Sequence, residues 1–210
     1  MTIGNEFDLQ PNGALVINRT DNIGIHGEAI AAQWVVSWGW RVLHHRWHCR
    51  WGELDLVACQ PSSVGSPRSL PLTFNQQKQW EVREPTLVFI EVKTRTSKNW
   101  DANGLLAITP EKQRKLWQTA ELFLAEFPDY AQFPCRFDLI LVQYRRSPKQ
   151  LIPKSRLDKA SEDTHQLNTN SLVLPPFPSP QAQLGQSSQW VSIGNHMFKI
   201  EQHVKNIFEQ

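Results

Sequence analysis

The chain has 210 residues, with 22 lysines and arginines against 20 acids and a net charge of +2. That length supports one substantial core with insertions, and that charge is too small to mark a nucleic-acid binder unaided, so any such assignment must rest on local features. Cys49, Cys59 and Cys135 are too scattered for a disulfide framework or a tetrahedral zinc site and read as reduced thiols, while the lack of a basic, apolar start and of any apolar run near ~20 residues argues against secretion and membrane insertion and for a cytoplasmic protein.

Residues 1–22 are polar, have no clear period and contain the turn signal Pro11-Asn12-Gly13, so a loose leader is expected before a single domain spanning 23–210. From Gly27 to Trp38 the pattern GEAIAAQWVVSW predicts a helix, with Ile30, Trp34 and Trp38 on one stripe and Gly39 as its C-terminal cap. Arg41 to Trp47 and Gly52 to Cys59 read as paired strands joined at a glycine. A polar, proline- and serine-rich stretch at about 60–85 is expected to be a surface insertion. Thr86 to Lys93, TLVFIEVK, is the most strand-like segment and should be central in the sheet. Thr109-Pro110 then opens a second helix, with Thr109 as N-cap and Leu116, Ala120, Phe123, Leu124 and Phe127 as its buried stripe. Arg136 to Gln143 is a further strand, and a second polar stretch at about 144–189 reads as disordered. The chain closes on a short strand, Trp190 to Ile193, and an amphipathic pattern that would dock Ile200, Val204 and Ile207 on the core.

On a strand, residues two apart share a face, so Glu91 and Lys93 point one way while Ile90 and Val92 point the other; the same parity aligns Glu53 with Asp55 and sends Leu54 and Leu56 to the core. If the two strands pair, two carboxylates and an ammonium converge at one end of the sheet. A hard cation such as Mg²⁺ prefers oxygen ligands and binds through one or two carboxylates plus substrate phosphate, so Asp55 and Glu91 are the candidate metal ligands, for Mg²⁺ or Mn²⁺. Lys93 is placed to stabilise charge developing on phosphoryl oxygens. Glu28 shares a stripe with Ala31, Ala32 and Val35 on helix one and is a supporting acid.

Taken in order, GE (Gly27, Glu28), GELDL (Gly52 to Leu56), FIEVKTR (Phe89 to Arg95), a helical lysine (Lys112) and RFDLI (Arg136 to Ile140) closely resemble the YraN family of uncharacterised bacterial proteins. That family is similar in fold to Holliday-junction resolvases and other PD-(D/E)XK nucleases. The resemblance runs from helix one through RFDLI and returns at MFKIEQHVKNIFEQ, skipping the leader and both insertions. It implies Asp55, Glu91 and Lys93 as the nuclease core, Glu28 as the helix-one acid, and Lys112 or Arg95 as phosphate contacts.

Plainer readings stand beside these. Glu91 and Lys93 alone would be a charged pair at a strand end, and it is Asp55, Glu28 and the motif order that reverse that preference. Glu28 alone is equally a helix-start acid that favours the macrodipole. Lys112 opposes the dipole of helix two but could be a solvated lysine. Asp138 alternates with Phe137 and Leu139 and reads as a structural acid. The stretch HHRWHCRW offers Arg46 and Arg50 with tryptophans as nucleic-acid contacts, or is an amphipathic strand. Trp34, Trp38 and Trp117 read as core.

The expectation is an α/β, restriction-endonuclease-like domain: a mixed sheet of four to five strands flanked by helices. Its function would be metal-dependent endonuclease action on structured or branched nucleic acid, DNA in preference to RNA; the alternative is a non-catalytic nucleic-acid-binding module on the same fold. A homodimer follows only by analogy of fold.

Overall fold

The computed structural model describes residues 7–10, 14–18, 22–61, 85–96, 108–147, 171–177 and 189–208. The Pro11-Asn12-Gly13 turn, most of both expected insertions and the loop before the second helix lie outside these residues.

Helix α1, Ile23–Ser37, starts four residues before the expected Gly27 because Asn22 caps it, its side chain accepting the Gly24 and Ile25 N–H groups. Gly39, at φ +80, ends the helix as expected, its N–H donating to Val36 O at 2.8 Å. Strands β3 (Arg41–Cys49), β4 (Gly52–Gln60) and β5 (Thr86–Arg95) follow, each extending its predicted segment. Helix α2, Pro110–Glu126, begins at the expected Thr109 cap, and β6 covers Cys135–Arg146. β8 (Val191–Ile193) and β9 (His196–Val204) complete a six-stranded mixed sheet in the order β3-β4-β5-β6-β9-β8, in which only β5 and β6 run parallel. The parallel pair requires a crossover, which α2 provides.

The sheet is wider than the four to five strands expected. The C-terminal segment is a strand, and an extra residue, Glu201, where Leu141 and Val142 face Gln202 and Ile200, shifts the register. Ile200 therefore packs on one side of the sheet, and Val204 and Ile207 on the other. The expected loose leader also carries structure: β1 (Phe7–Leu9) and β2 (Leu15–Asn18) pair antiparallel and join β7 (Ser171–Leu174) in a second, three-stranded sheet. Phe7, Leu15 and Ile17 are buried, so this sheet is held by apolar burial, not hung on the surface.

Two clusters form the core. α1 and the small sheet pack on one face of the large sheet, through Ile30, Val35, Leu56, Ile90, Ile140 and Phe198 among others. Covered on two sides, α1 buries even His26 and Gln33. α2 packs on the opposite face through Leu116, Ala120 and Phe123 against Phe89, Phe137 and Leu139. Trp38 and Trp117, expected in the core, are 52% and 49% exposed; Trp34 is half-buried. Trp38 is the C-cap of α1, and Trp117 lays one side of its ring on Phe137 and Phe208 while the other stays open. No helix among the described residues is long and apolar enough to cross a membrane, and all three cysteines are free thiols.

Candidate functional site

β4 and β5 pair from Gln60↔Thr86 to Leu56↔Ile90, and the ladder stops there. At the next position the Asp55 carboxylate takes the place of a backbone acceptor, its Oδ2 receiving the Val92 N–H at 2.7 Å. The strands part at the acid, where the sequence analysis expected continued pairing to bring Asp55 and Glu91 together.

The backbone of β3 is irregular at the same step. The β3–β4 register pairs His45 with Leu56 and Trp47 with Leu54 but skips the intervening Arg46 and Asp55, and Arg46 stands at φ +50, in the left-handed region that non-glycine residues seldom occupy. Side-chain alternation breaks at this step: Leu56 joins the α1-side cluster and Leu54 the α2-side cluster, although both were expected on one face. A twist at Arg46–Asp55 thus rotates the hairpin tip relative to its base.

Glu91 is 3% exposed and lies on the α2 face of β5. Its Oε1 contacts the Lys93 ammonium and lies 3.2 Å from the Lys112 ammonium of α2. Thr109 makes that reach reproducible, because its hydroxyl caps the Lys112 N–H at 3.2 Å and fixes where the first turn of α2 begins. Glu91 Oε2 is enclosed and has no hydrogen-bond partner among the described residues. A buried oxygen without a donor is costly and is well suited to a cation.

Asp55 is half-buried. Burial and the neighbouring Glu91 carboxylate push its carboxyl up to about 7, against the lowering pull of the Val92 N–H, Lys93 and Lys112. Two carboxylates and two ammonium groups therefore share one small, poorly solvated volume. Among the described residues no group of three or more His, Cys, Asp or Glu side chains could itself hold a metal. Asp55 and the unserved Glu91 Oε2 offer hard oxygen donors but not a closed protein cage.

Glu28 lies in the second turn of α1, half-buried, with Oε2 enclosed. The preceding Gly27 explains how that turn comes so close to β5: a Cβ there would stand 1.9 Å from Thr94 Oγ1. Arg95 is exposed at the end of β5. Arg46 pairs with Glu53 at 2.9 Å, and exposed Arg50 lies over the Trp51 ring at 5.1 Å in the β3–β4 turn, so both HHRWHCRW arginines sit on the hairpin. Within that stretch His44 and Trp47 pack on Phe123, and burial lowers the His44 pKa. Sequence reasoning missed the Arg46 twist, for which no residue pattern signals, and the direct Lys112–Glu91 contact, for which the Thr109 cap was the available clue.

A family model described as uncharacterised protein family UPF0102 matches residues 27–142, from the glycine under Thr94 to the middle of β6. The C-terminal segment lies outside that match. The UPF0102 protein of Acaryochloris marina is 45% identical over 126 residues, which cover 60% of this chain and 65% of that relative. That of Trichodesmium erythraeum is 43% identical over 145 residues, 68% of this chain and 74% of the relative. For Thermosynechococcus vestitus the identity is 39% over 130 residues, with 62% and 87% covered.

Proposed function

Since this chain belongs to the uncharacterised protein family UPF0102, we propose from its site that it is a nucleic-acid-binding protein of restriction-endonuclease-like fold and a Mg²⁺- or Mn²⁺-dependent endonuclease acting on structured or branched nucleic acid. The observation that carries this reading is the meeting of Asp55, Glu91 and Lys93 where β4 and β5 splay, with a Glu91 oxygen enclosed and unserved. Asp55 and Glu91 would hold the divalent ion, which when bound activates water and polarises phosphoryl oxygens. Lys93 supplies fixed positive charge where a phosphate would accumulate negative charge. Lys112 holds Glu91 from the helix side, so the carboxylate is aimed before substrate arrives. Burial and the neighbouring Glu91 carboxylate push the Asp55 carboxyl up to about 7, and a bound cation would favour its charged form.

One observation favours a second reading, a non-catalytic nucleic-acid-binding module on the same fold: both lysines are already engaged with Glu91 Oε1. Divalent-metal-dependent cleavage of labelled four-way junctions, flaps, single strands and RNA separates the two. Wild-type cleavage that falls by a factor of about 100 or more in both Asp55→Asn and Lys93→Ala is expected. Binding without cleavage across the panel would instead establish the non-catalytic module.

A further inference from the structure

Among the described residues, α2 packs with Phe89, Phe137, Leu139 and Leu141, and no residue of β5 beyond Phe89, of β6 beyond Leu141 or of β8 joins that cluster. The apolar residues Val142, Tyr144, Phe198, Ile200, Val191 and Ile193 face the α1 cluster. Their neighbours in sequence therefore line the other face. The register sets Arg95 beside Gln143 and Gln143 beside Lys199, and Val191↔Phe198 brings Trp190 next to Lys199. The result is one row across four strands, Arg95–Gln143–Lys199–Trp190, roughly 14 Å long at the usual strand spacing. Arg145 adds to it from the next row, its guanidinium 4.1 Å from the centre of the Trp190 ring, while the Lys199 ammonium is 5.5 Å from that centre and 2.8 Å from Glu201. Arg95 and Arg145 are exposed. The row starts two residues from Lys93 on the same face of β5, and beyond Arg95 it lies outside the residues the family model matches.

We propose that this row is a docking track for a single-stranded segment of the nucleic acid leaving the Asp55–Glu91 site, with phosphates on Arg95, Arg145 and Lys199 and a base against the Arg145–Trp190 pair. This deepens, and rests on, the reading of that site given above. The chemistry is that of single-strand binding elsewhere: cations track the backbone, and a flat aromatic or guanidinium surface takes bases without regard to sequence. Continuity with Lys93 favours a nucleic acid over an unrelated polyanion.

The test is fluorescence anisotropy with the full chain, in EDTA so that turnover cannot intervene, using a labelled short oligothymidylate and a blunt duplex over a range of salt. The double variant Arg145→Gln/Lys199→Gln, whose side chains lie outside both core clusters, should bind the oligothymidylate about tenfold more weakly and lose about 1.4 from the slope of log K against log salt, two phosphate contacts' worth. Duplex binding should change less than twofold. Trp190→Ala should weaken the oligothymidylate without changing that slope, and Trp190→Phe should restore it. Unchanged affinity and slope in the double variant, or no wild-type binding at low salt, overturns the track. So does inorganic polyphosphate binding as tightly as the oligothymidylate with no effect of Trp190→Ala. Wild-type cleavage with unaltered variant binding removes the track alone, whereas the expected binding changes in a protein that cleaves nothing support the track and remove only the endonuclease reading.

Discussion

Asp138 and Asp55 sit on β6 and β4, either side of β5, and the same sheet treats them in opposite ways. Asp138 is 0% exposed, yet Arg136 Nε (2.9 Å) and Nη2 (3.1 Å), His203 Nε2 (2.8 Å) and the Asn206 N–H (3.0 Å) all converge on it. Burial would raise its pKa, but those hydrogen bonds hold the carboxyl below the ordinary range. Asp55 receives one backbone N–H, and burial together with the facing Glu91 carboxylate drives its pKa the other way. Depth in the sheet does not separate a structural acid from a candidate site. The supply of donors does: a fully served carboxylate joins β6 to the C-terminal segment, while an under-served pair holds repulsion that a cation would relieve.

The comparison breaks first, and hardest, at Asp138. Asp138→Ala leaves the Arg136 guanidinium, the His203 ring and the Asn206 N–H without their common acceptor, and should cost about 3–5 kcal/mol in denaturant unfolding. A cost under about 1 kcal/mol would show that the donors find water and that the cluster is not what closes β9 on β6. Cleavage is not expected to depend on Asp138 beyond this loss of folded protein.

Asp55→Asn should do the reverse. The folded-state pKa of Asp55 lies above its unfolded value of 3.8, so its contribution to stability is full below pH ~4 and is lost as pH rises through about 7. Asn keeps an acceptor for the Val92 N–H and removes the charge. At pH 8 the variant should therefore be more stable than wild type by roughly 2 kcal/mol, a figure discounted for partial solvent screening, and the gain should shrink toward pH 5. Asp138 has the opposite sign: with its pKa depressed, its contribution is present above pH ~4 and lost in more acid solution. Melting curves from pH 2 to 8 for wild type and Asp55→Asn check both slopes, and a variant that is less stable at pH 8 would contradict the repulsion assigned to the pair.

A smaller effect attaches to the close approach of α1 to the site end of β5. Gly27→Ala places a methyl against Thr94 and should cost about 1–3 kcal/mol, as overpacking does. Thr94→Ala in the same chain should recover most of that loss. Failure of the second change to compensate would mean that Gly27 is needed for its backbone and not for its size.

How far the sequence reveals each region follows from the range of the interactions. The α2 cap, the strand cores and the convergence of Asp55 with Glu91 depend on spacing within a segment or between consecutive strands, and these are readable. The structural role of Asp138 could be inferred from its alternation with Phe137 and Leu139, but its partners His203 and Asn206 lie 65 and 68 residues away and could not. The small sheet was hidden in part for the same reason: Leu15 and Ile17 pair locally with Leu9 and Phe7, in strands too short to stand out by pattern, but the third strand begins at Ser171. In β9 the bulge at Glu201 lets Ile200 and Val204 reach opposite clusters, so a spacing that suggests one face of a helix serves two faces of a sheet.

Arg46 is the least legible residue near the site, and it offers the finest test of the contrast. If its left-handed backbone, opposite Asp55, rotates the hairpin tip, then glycine should tolerate the position and a β-branched residue should not. Arg46→Gly relieves a left-handed penalty of about 1–2 kcal/mol but loses a half-exposed ion pair worth about 0–1 kcal/mol and adds unfolded-state freedom worth about 0.5–1 kcal/mol. The terms nearly cancel, so stability should stay within about 1 kcal/mol of wild type and the Asp55-dependent pH slope should persist. Arg46→Val loses the same ion pair and meets a larger steric penalty, so it should lose about 1–2 kcal/mol or pull the backbone back to an extended conformation. In the second case the ladder would close across Asp55, the acid would turn away from Glu91, and the stability slope between pH 5 and 8 would flatten. Equal slopes in both variants would show that the Val92 N–H alone is enough to aim Asp55, and that the twist follows from the site and does not cause it.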